Sequence, residues 1–252
     1  MKFKIFSYPA PLWRLRALLG LFVVVVSVPP YAVFLLILVA MGLPRKTQTT
    51  FLRFWQKIVN FSLGIRYQII GSENFDPKTP ALVVSNHQSL LDIPAAFAAL
   101  PNCNLRMVAK RELYQIPFFG WALKGLEFVP IDRGNRSSGR EATEKISERI
   151  RSGIHVWVAP EGTRSEDGAL APFKKGSFAV AIEAQIPIQP IFVENSREAL
   201  PKKSLFARSG TVIRVRVMKP VPTLGWTLER RGELAQFVRT LIQDQISQIP
   251  KP

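Results

Sequence analysis

An α/β domain with a largely parallel or mixed central sheet flanked by helices, preceded by a membrane-embedded helical hairpin, is the fold class that this chain predicts. Two observations carry the domain. Strand-like apolar runs at 65–70, 81–84, 105–108, 128–131, 155–159, 186–193 and 212–218 alternate with helix-like stretches, an order that keeps returning the chain to one sheet. Apolar residues make up 47% of the 252 residues, enough for one core of ordinary size and an appendage. The hairpin rests on a third observation: residues 17–43 carry no charge, and so long an uncharged run has no face for solvent.

Pro29 and Pro30 divide that run into two arms of about 12 residues, each about 18 Å long if helical and shorter than the ~30 Å hydrocarbon core. Both flanks are basic, with Lys2, Lys4, Arg14 and Arg16 before the run and Arg45 and Lys46 after it. The positive-inside rule then sets both ends on the cytoplasmic side. A hairpin dipping into one leaflet meets both conditions; one tilted, kinked spanning helix is the alternative. A cleaved signal peptide fits poorly, because the run is too long and no small-residue cleavage site follows. Stretch 50–63 reads as an amphipathic helix with Arg53 and Lys57 on one side and Phe51, Phe54, Trp55, Ile58 and Val59 on another. It suits the headgroup boundary or packing on the domain. Residues 1–63 therefore form the anchor and 64–252 the domain.

Within the domain, the buried run 81–84 ends at Ser85 and Asn86, and Pro94 is tolerated only in a first helical turn, so a helix starts at 91–93. The helix at 140–152 has Ser138 and Glu141 as a capping box and Gly153 as its stop. Pro187 and Pro190 place strand 186–193 at an edge or a bulge. The last helix, 228–249, sets Leu234, Phe237, Val238, Leu241, Ile242 and Ile246 on one stripe of core packing.

His87, one of two histidines, stands where strand 81–84 ends, five positions before Asp92. Across a turn, Asp92 can accept a hydrogen bond from one imidazole nitrogen and leave the other to take a proton, which makes a general base with its orienting carboxylate. A loop histidine beside a helix cap is the other reading of the same two residues. His155 alternates with valines in a strand and reads as packed. The loop PEGTRS at 160–165 combines Gly162, which permits close backbone approach, with Arg164, a planar fork suited to a phosphate monoester or else a solvated surface arginine. Lys110 follows a strand and can face the same sheet edge as His87, or snorkel over the surface. Arg133 is a third candidate clamp, unless the adjacent Asp132 neutralises it. Neither histidine has companions for a metal site. G-x-S-x-G, P-loop and dinucleotide signatures do not occur, and the single cysteine, Cys103, lies outside every motif.

The phrase Asn86, His87, Gln88, Ser89 and then Asp92 resembles the first motif of the glycerolipid acyltransferases, in particular the 1-acylglycerol-3-phosphate acyltransferases. Blocks at 110–120, 125–133, 160–165 and 186–190 agree in order and interval, and the likeness covers roughly 65–220. The resemblance implies a glycerolipid-acyltransferase-like domain. It would move a fatty acyl group from acyl-CoA or acyl-carrier protein to the sn-2 hydroxyl of 1-acylglycerol-3-phosphate, giving phosphatidic acid in phospholipid biosynthesis. His87 and Asp92 would be catalytic, Lys110, Arg164 and Arg133 would bind the substrate phosphate, and Asn86, Ser89, Glu161, Gly162 and Thr163 would line the acceptor site. Besides the acyl donor no cofactor is implied, since the nucleophile is the substrate's own hydroxyl. Phe118, Phe119 and Trp121 could border the acyl chain, with at least one of them filling core. The family often has an aromatic residue where Ala159 stands, a difference in local packing. Glycerol-3-phosphate and a lyso-ornithine lipid are alternative acceptors, and a non-catalytic basic peripheral membrane protein is the alternative class.

The formal charge of +16 calls for an anionic partner. No Asp or Glu precedes Glu73, whereas basic residues recur from Lys2 to Arg66. Positive charge that flanks the most apolar part of the chain points to a bilayer with anionic lipids rather than to nucleic acid. With one cysteine there is no internal disulfide and no sign of an oxidising compartment. The expected location is the membrane, with the catalytic domain on the cytoplasmic face, at the inner membrane of a bacterium.

Overall fold

The computed structural model describes residues 10–132 and 135–248. Runs rich in Val, Ile and Leu pack well on a pleated surface, and among the described residues they form β1 (Arg66–Ile70), β2 (Leu82–Ser85), β3 (Leu105–Lys110), β4 (Val129–Ile131), β5 (His155–Val158), β6 (Ile188–Glu194) and β7 (Val212–Val217). All seven join one sheet in the order β1-β7-β6-β2-β5-β3-β4. Strands β6, β2, β5, β3 and β4 are mutually parallel, β7 is antiparallel to β6, and β1 is parallel to β7. One edge of this mixed sheet therefore gathers the carboxyl ends of five strands and the amino ends of β1 and β7. β2 and β5 are buried throughout, as strands covered on both faces must be.

Helices α1 (Ala10–Ala40), α2 (Arg45–Leu63), α3 (Asp92–Ala99) and α4 (Phe119–Gly125) cover one face; α5 (Arg136–Arg151), α6 (Gly176–Glu183) and α8 (Arg231–Ser247) cover the other, with the one-turn α7 (Ser196–Ala199) following β6. The period of a strand divides the two cores: Val83 joins the first, and its neighbours Leu82 and Val84 join the second. On α8, Leu234, Val238 and Ile242 are buried, whereas Phe237 is exposed.

The break expected at Pro29–Pro30 does not occur. α1 runs through both prolines, the chain reverses at 41–44, and the hairpin is made by α1 and α2. An interior proline costs a helix about 3 kcal/mol, and here the turns on either side of the pair are held on α2. Trp55 Nε1 donates to Ser27 Oγ at 3.0 Å, and Tyr31 Oη donates to the Phe51 carbonyl at 2.6 Å. The Tyr31 and Trp55 rings stack at 5.9 Å, and Phe34 meets Phe51 edge-on at 5.1 Å. By length and composition α1 is able to cross a membrane. Leu12, Leu15, Leu19, Phe22, Val26, Val33 and Ile37 are exposed along it at helical spacing.

α2 begins directly after Pro44 rather than at 50, and its Arg53 turns inward. The guanidinium donates to the carbonyls of Phe97, Leu100 (2.6 Å) and Cys103 (3.4 Å), at the carboxyl end of α3. A cation there satisfies orphan carbonyls and faces the negative end of the helix dipole. Arg45 makes a bidentate pair with Glu127 at 2.5 and 2.8 Å, which pins the start of α2 to the turn after α4. α5 also starts earlier than expected. Asn135 caps it by accepting from Ser137 N at 2.9 Å, while Ser138 accepts from Asp132 N and Glu141 pairs with Arg111 and Lys145, so the capping box does not form. Gly153, with φ of +82°, ends this helix region as expected.

β6 is a central strand, contrary to the edge position that its prolines suggested. Residues 190 and 218 stand opposite one another at the end of the β6–β7 ladder, where a pair exchanges two hydrogen bonds. One is made, from Met218 N to the Pro190 carbonyl at 3.1 Å. Proline cannot make the other, and Gln189 Nε2 supplies it by donating to the Met218 carbonyl at 2.6 Å. Gln189→Leu should therefore strand a partly buried carbonyl and cost about 1 kcal/mol, read as a lower midpoint in thermal unfolding. Adding Pro190→Ala, which restores a backbone donor, should recover part of the loss.

Candidate active site

The site is built at the sheet edge where the carboxyl ends of the parallel strands converge, the usual place for a ligand in an open α/β sheet. Strand β2 ends at Ser85, and the turn 86–91 reverses into α3. His87 Nδ1 lies 2.8 Å from Asp92 Oδ2, and the same oxygen accepts the backbone N–H groups of Gln88 (2.7 Å) and Ser89 (2.8 Å). Since Oδ2 is accepting from two amides, Nδ1 carries the proton toward it, and Nε2 presents its lone pair. Nε2 meets no hydrogen-bond partner among the described residues. The Trp157 indole packs edge-on to the imidazole at 5.7 Å and donates to Ser85 Oγ at 3.0 Å. The expected pairing of His87 with Asp92 thus forms, with the helix start within 91–93.

The PEGTRS loop after β5 docks onto the same turn. Glu161 Oε1 accepts from His87 N at 2.7 Å, its Oε2 accepts from Ala171 N at 3.0 Å, and Ser165 N donates to the His87 carbonyl at 2.8 Å. Both backbone groups of His87 are therefore held by this loop. Burial pushes the Glu161 pKa up, with the two N–H donors opposing it. Glu161 is buried, and both of its carboxylate oxygens are engaged by backbone N–H groups. Asn86 and Ser89 are likewise buried and hydrogen-bonded to the backbone. The Asn86 amide exchanges two 2.8 Å hydrogen bonds with the backbone of Val193 on β6, and Ser89 Oγ donates to the Leu200 carbonyl at 2.8 Å. Gly162 is half-buried and Thr163 exposed, on the outer side of the loop.

Arg164 is half-buried, two residues beyond Gly162, and its guanidinium has no hydrogen bond or ion pair among the described residues. Lys110 reaches the same edge at the end of β3, where its ammonium pairs with Glu112 at 2.6 Å. Arg133 lies outside the described residues. Lys174 was missed: its Nζ and Cε stand 2.8 Å from where a Cβ on Gly162 would be, and its N–H donates to the Pro160 carbonyl at 2.9 Å. Gly162 also has φ of +78°, so only glycine suits that turn. The one cue for Lys174 was its position in PFKK, downstream of PEGTRS. His155 is packed, with Nε2 3.2 Å from the Pro77 carbonyl and burial lowering its pKa. Burial raises the Cys103 thiol to about 11, which removes it as a nucleophile. Phe118 and Trp121 are exposed near this edge, whereas Phe119 packs against the core.

A protein-family model described as Acyltransferase matches residues 66–194. The chain is 36% identical over 182 residues to 1-acyl-sn-glycerol-3-phosphate acyltransferase alpha of Homo sapiens, covering 72% of this chain and 64% of that protein. It is 36% identical over 204 residues to 1-acyl-sn-glycerol-3-phosphate acyltransferase of Saccharomyces cerevisiae, covering 78% of this chain and 65% of that one. Both matches leave more than a third of the relative uncovered. The crystal structure of the 1-acyl-sn-glycerophosphate acyltransferase from Thermotoga maritima superposes with a TM-score of 0.79 over 96% of this chain and 99% of that chain, at 24% identity, a likeness of fold.

Glu161→Gln keeps the shape but offers one acceptor oxygen to two N–H donors, which should cost about 1–3 kcal/mol. Because the folded-state pKa of Glu161 is raised, folding disfavours its ionised form, and this contribution to stability falls as pH climbs above the ordinary value of 4.5. Thermal unfolding across a pH series should therefore find the gap between wild type and Glu161→Gln widest at low pH and narrower toward neutrality.

Proposed function

We propose, from the premise that this chain belongs to the Acyltransferase family, that it transfers a fatty acyl group from acyl-CoA or acyl-carrier protein to the sn-2 hydroxyl of 1-acylglycerol-3-phosphate, giving phosphatidic acid. The observation that carries this reading is the imidazole held by Asp92 through Nδ1, with Nε2 left to act. Nε2 takes the hydroxyl proton as the oxygen attacks the thioester carbonyl. The tetrahedral intermediate expels the thiolate, and the imidazolium returns the proton to that sulfur. Ester and thiol are the products, and the transfer needs no cofactor besides the donor. Asp92 keeps the imidazole in the correct tautomer and stabilises its charged form. The names of the curated relatives supply the acceptor, and the unpaired guanidinium of Arg164 beside the His87 turn suits its phosphate.

The membrane belongs to the same reading. A 1-acylglycerol-3-phosphate partitions into bilayers, and α1 carries an apolar face along its whole length on a basic chain. We place the catalytic domain on the cytoplasmic face of a bilayer with anionic lipids, because Arg45 and Lys46 follow the apolar helix on the side that leads into the domain.

His87→Ala should lower turnover by about 10² to 10⁴, the usual worth of a general base, with a normal unfolding transition. Product should be followed by mass spectrometry with lysophosphatidic acid and two acyl donors; near-normal turnover in the folded variant would refute the mechanism. Arg164→Ala should raise the KM for lysophosphatidic acid strongly and leave the donor KM nearly unchanged, and Arg164→Lys should restore only part, since a point charge does not reproduce the planar fork. An unchanged preference between lysophosphatidic acid and a phosphate-free lyso-lipid would remove Arg164 from the clamp.

A further inference from the structure

The segment between α7 and β7 has no part in the chemistry above, yet it sits at the rim of the site. Ser89 Oγ, in the His87 turn, donates to the carbonyl of Leu200, where the segment begins. It runs along the edge that holds the carboxyl end of β6 and the amino ends of β7 and β1. At its far end Gly210 N donates to the Gly64 carbonyl at 2.9 Å, between α2 and β1. Gly64 in turn lies against Arg16 of α1, whose guanidinium donates to the Phe61 carbonyl at 2.9 Å. The segment therefore bridges the His87 turn and the amino-terminal part of the apolar helix.

Its composition is unusual for a solvated loop. Leu205 and Phe206 are adjacent, 70% and 43% exposed, and Phe61 beside Arg16 is 79% exposed. Between 197 and 216 the chain has Arg197, Lys202, Lys203, Arg208, Arg214 and Arg216 against Glu198 alone among acidic residues, with Arg214 and Arg216 paired to Glu194 just before this stretch. Lys202 and Lys203 both reach Glu166 at 3.2 Å, so the base of the loop is tied to the PEGTRS region while its apolar tip points outward. A pair of exposed apolar side chains beside basic residues, on a segment that reaches Gly64 and through it Arg16 of α1, has the chemistry of a bilayer headgroup boundary.

We propose that the loop 201–209 is a second membrane contact, distinct from the α1–α2 hairpin, in which Leu205 and Phe206 enter the lipid and Lys202 and Lys203 lie among anionic headgroups. The contact holds the mouth of the site against the surface from which the acceptor lipid comes, and it rests on the reading of that acceptor given above. The hairpin attaches the protein, and the loop sets its tilt.

Cys103 is the single cysteine and is buried, so Phe206→Cys in the full-length protein can be labelled selectively with an environment-sensitive fluorophore, with Gln236→Cys on the exposed face of α8 as the control. On vesicles of phosphatidylcholine and phosphatidylglycerol, the label at 206 should shift to the blue and be quenched by a spin-labelled lipid, and that at 236 should not. Emission at 206 that stays water-like on vesicles to which the protein is bound would overturn the proposal. So would a blue shift that depends on protein concentration without vesicles, which would mean that a second copy covers the loop. Leu205→Ser with Phe206→Ser should then lower the rate on vesicle-borne lysophosphatidic acid several-fold and leave the rate in detergent micelles unchanged. Equal rates in both settings would count against a positioning role. Absence of product from wild type in micelles would fault the substrate assignment instead, while the fluorescence still decides the contact.

Discussion

Oδ2 of Asp92 accepts from His87 Nδ1 and from the N–H groups of Gln88 and Ser89 within 2.8 Å, and the whole turn between β2 and α3 is folded around that atom. Hydrogen bonds to a charged group contribute about 1.5–3 kcal/mol each, and loss of the carboxylate would leave three donors, two of them buried, without a partner. The five-residue spacing follows from this geometry: two amides and one imidazole must converge on one oxygen before the chain can enter the helix. Asp92 also stands in the first turn of α3, where the helix dipole favours a negative charge. One side chain thus terminates the strand, starts the helix and orients the base.

The fold was legible wherever a strand is buried on both faces or a helix ends on glycine. All seven strands fall within about two residues of their expected places, since continuous apolar runs have nowhere to go but the sheet. What could not be read was compensation by neighbours distant in sequence. Two consecutive prolines signal a break, but α2 stacks Trp55 on Tyr31 and sets Phe51 against Phe34, which holds the helix through them. Pro190 signals an edge, but the side chain of the residue before it replaces the missing donor. Both cases involve a local rule overruled by a partner that periodicity does not reveal.

At the site, spacing and residue type were enough for His87, Asp92 and the approach of the PEGTRS loop, because a base and its carboxylate must be close and glycine marks close approach. The roles of the motif's other polar residues were not legible. Asn86, Ser89 and Glu161, expected at the acceptor site, are buried and tie the turn to β6, to the start of 200–210 and to the PEGTRS loop through the backbone of His87. A motif records which residues are needed together, and a residue that holds the base in place belongs to it as much as one that touches substrate. Lys174 escaped because a lysine at a loop end carries no periodic signal. Its proximity to Gly162 exists only in three dimensions.

Arg53 links these levels. It caps the carboxyl end of α3 from α2, while Asp92 occupies the first turn of the same helix. Helix α3 is only eight residues long, too short to be stable alone, so it persists through packing and through a cation at one end and a carboxylate at the other. Helix α2 of the hairpin and the turn that bears the base are therefore joined through a single short rigid element. Burial lowers the Arg53 pKa from its ordinary value, and the α3 carbonyls that accept its protons offset part of that cost of desolvation. The orientation of the hairpin and the orientation of the base are thereby one structural problem, solved by the same two charges.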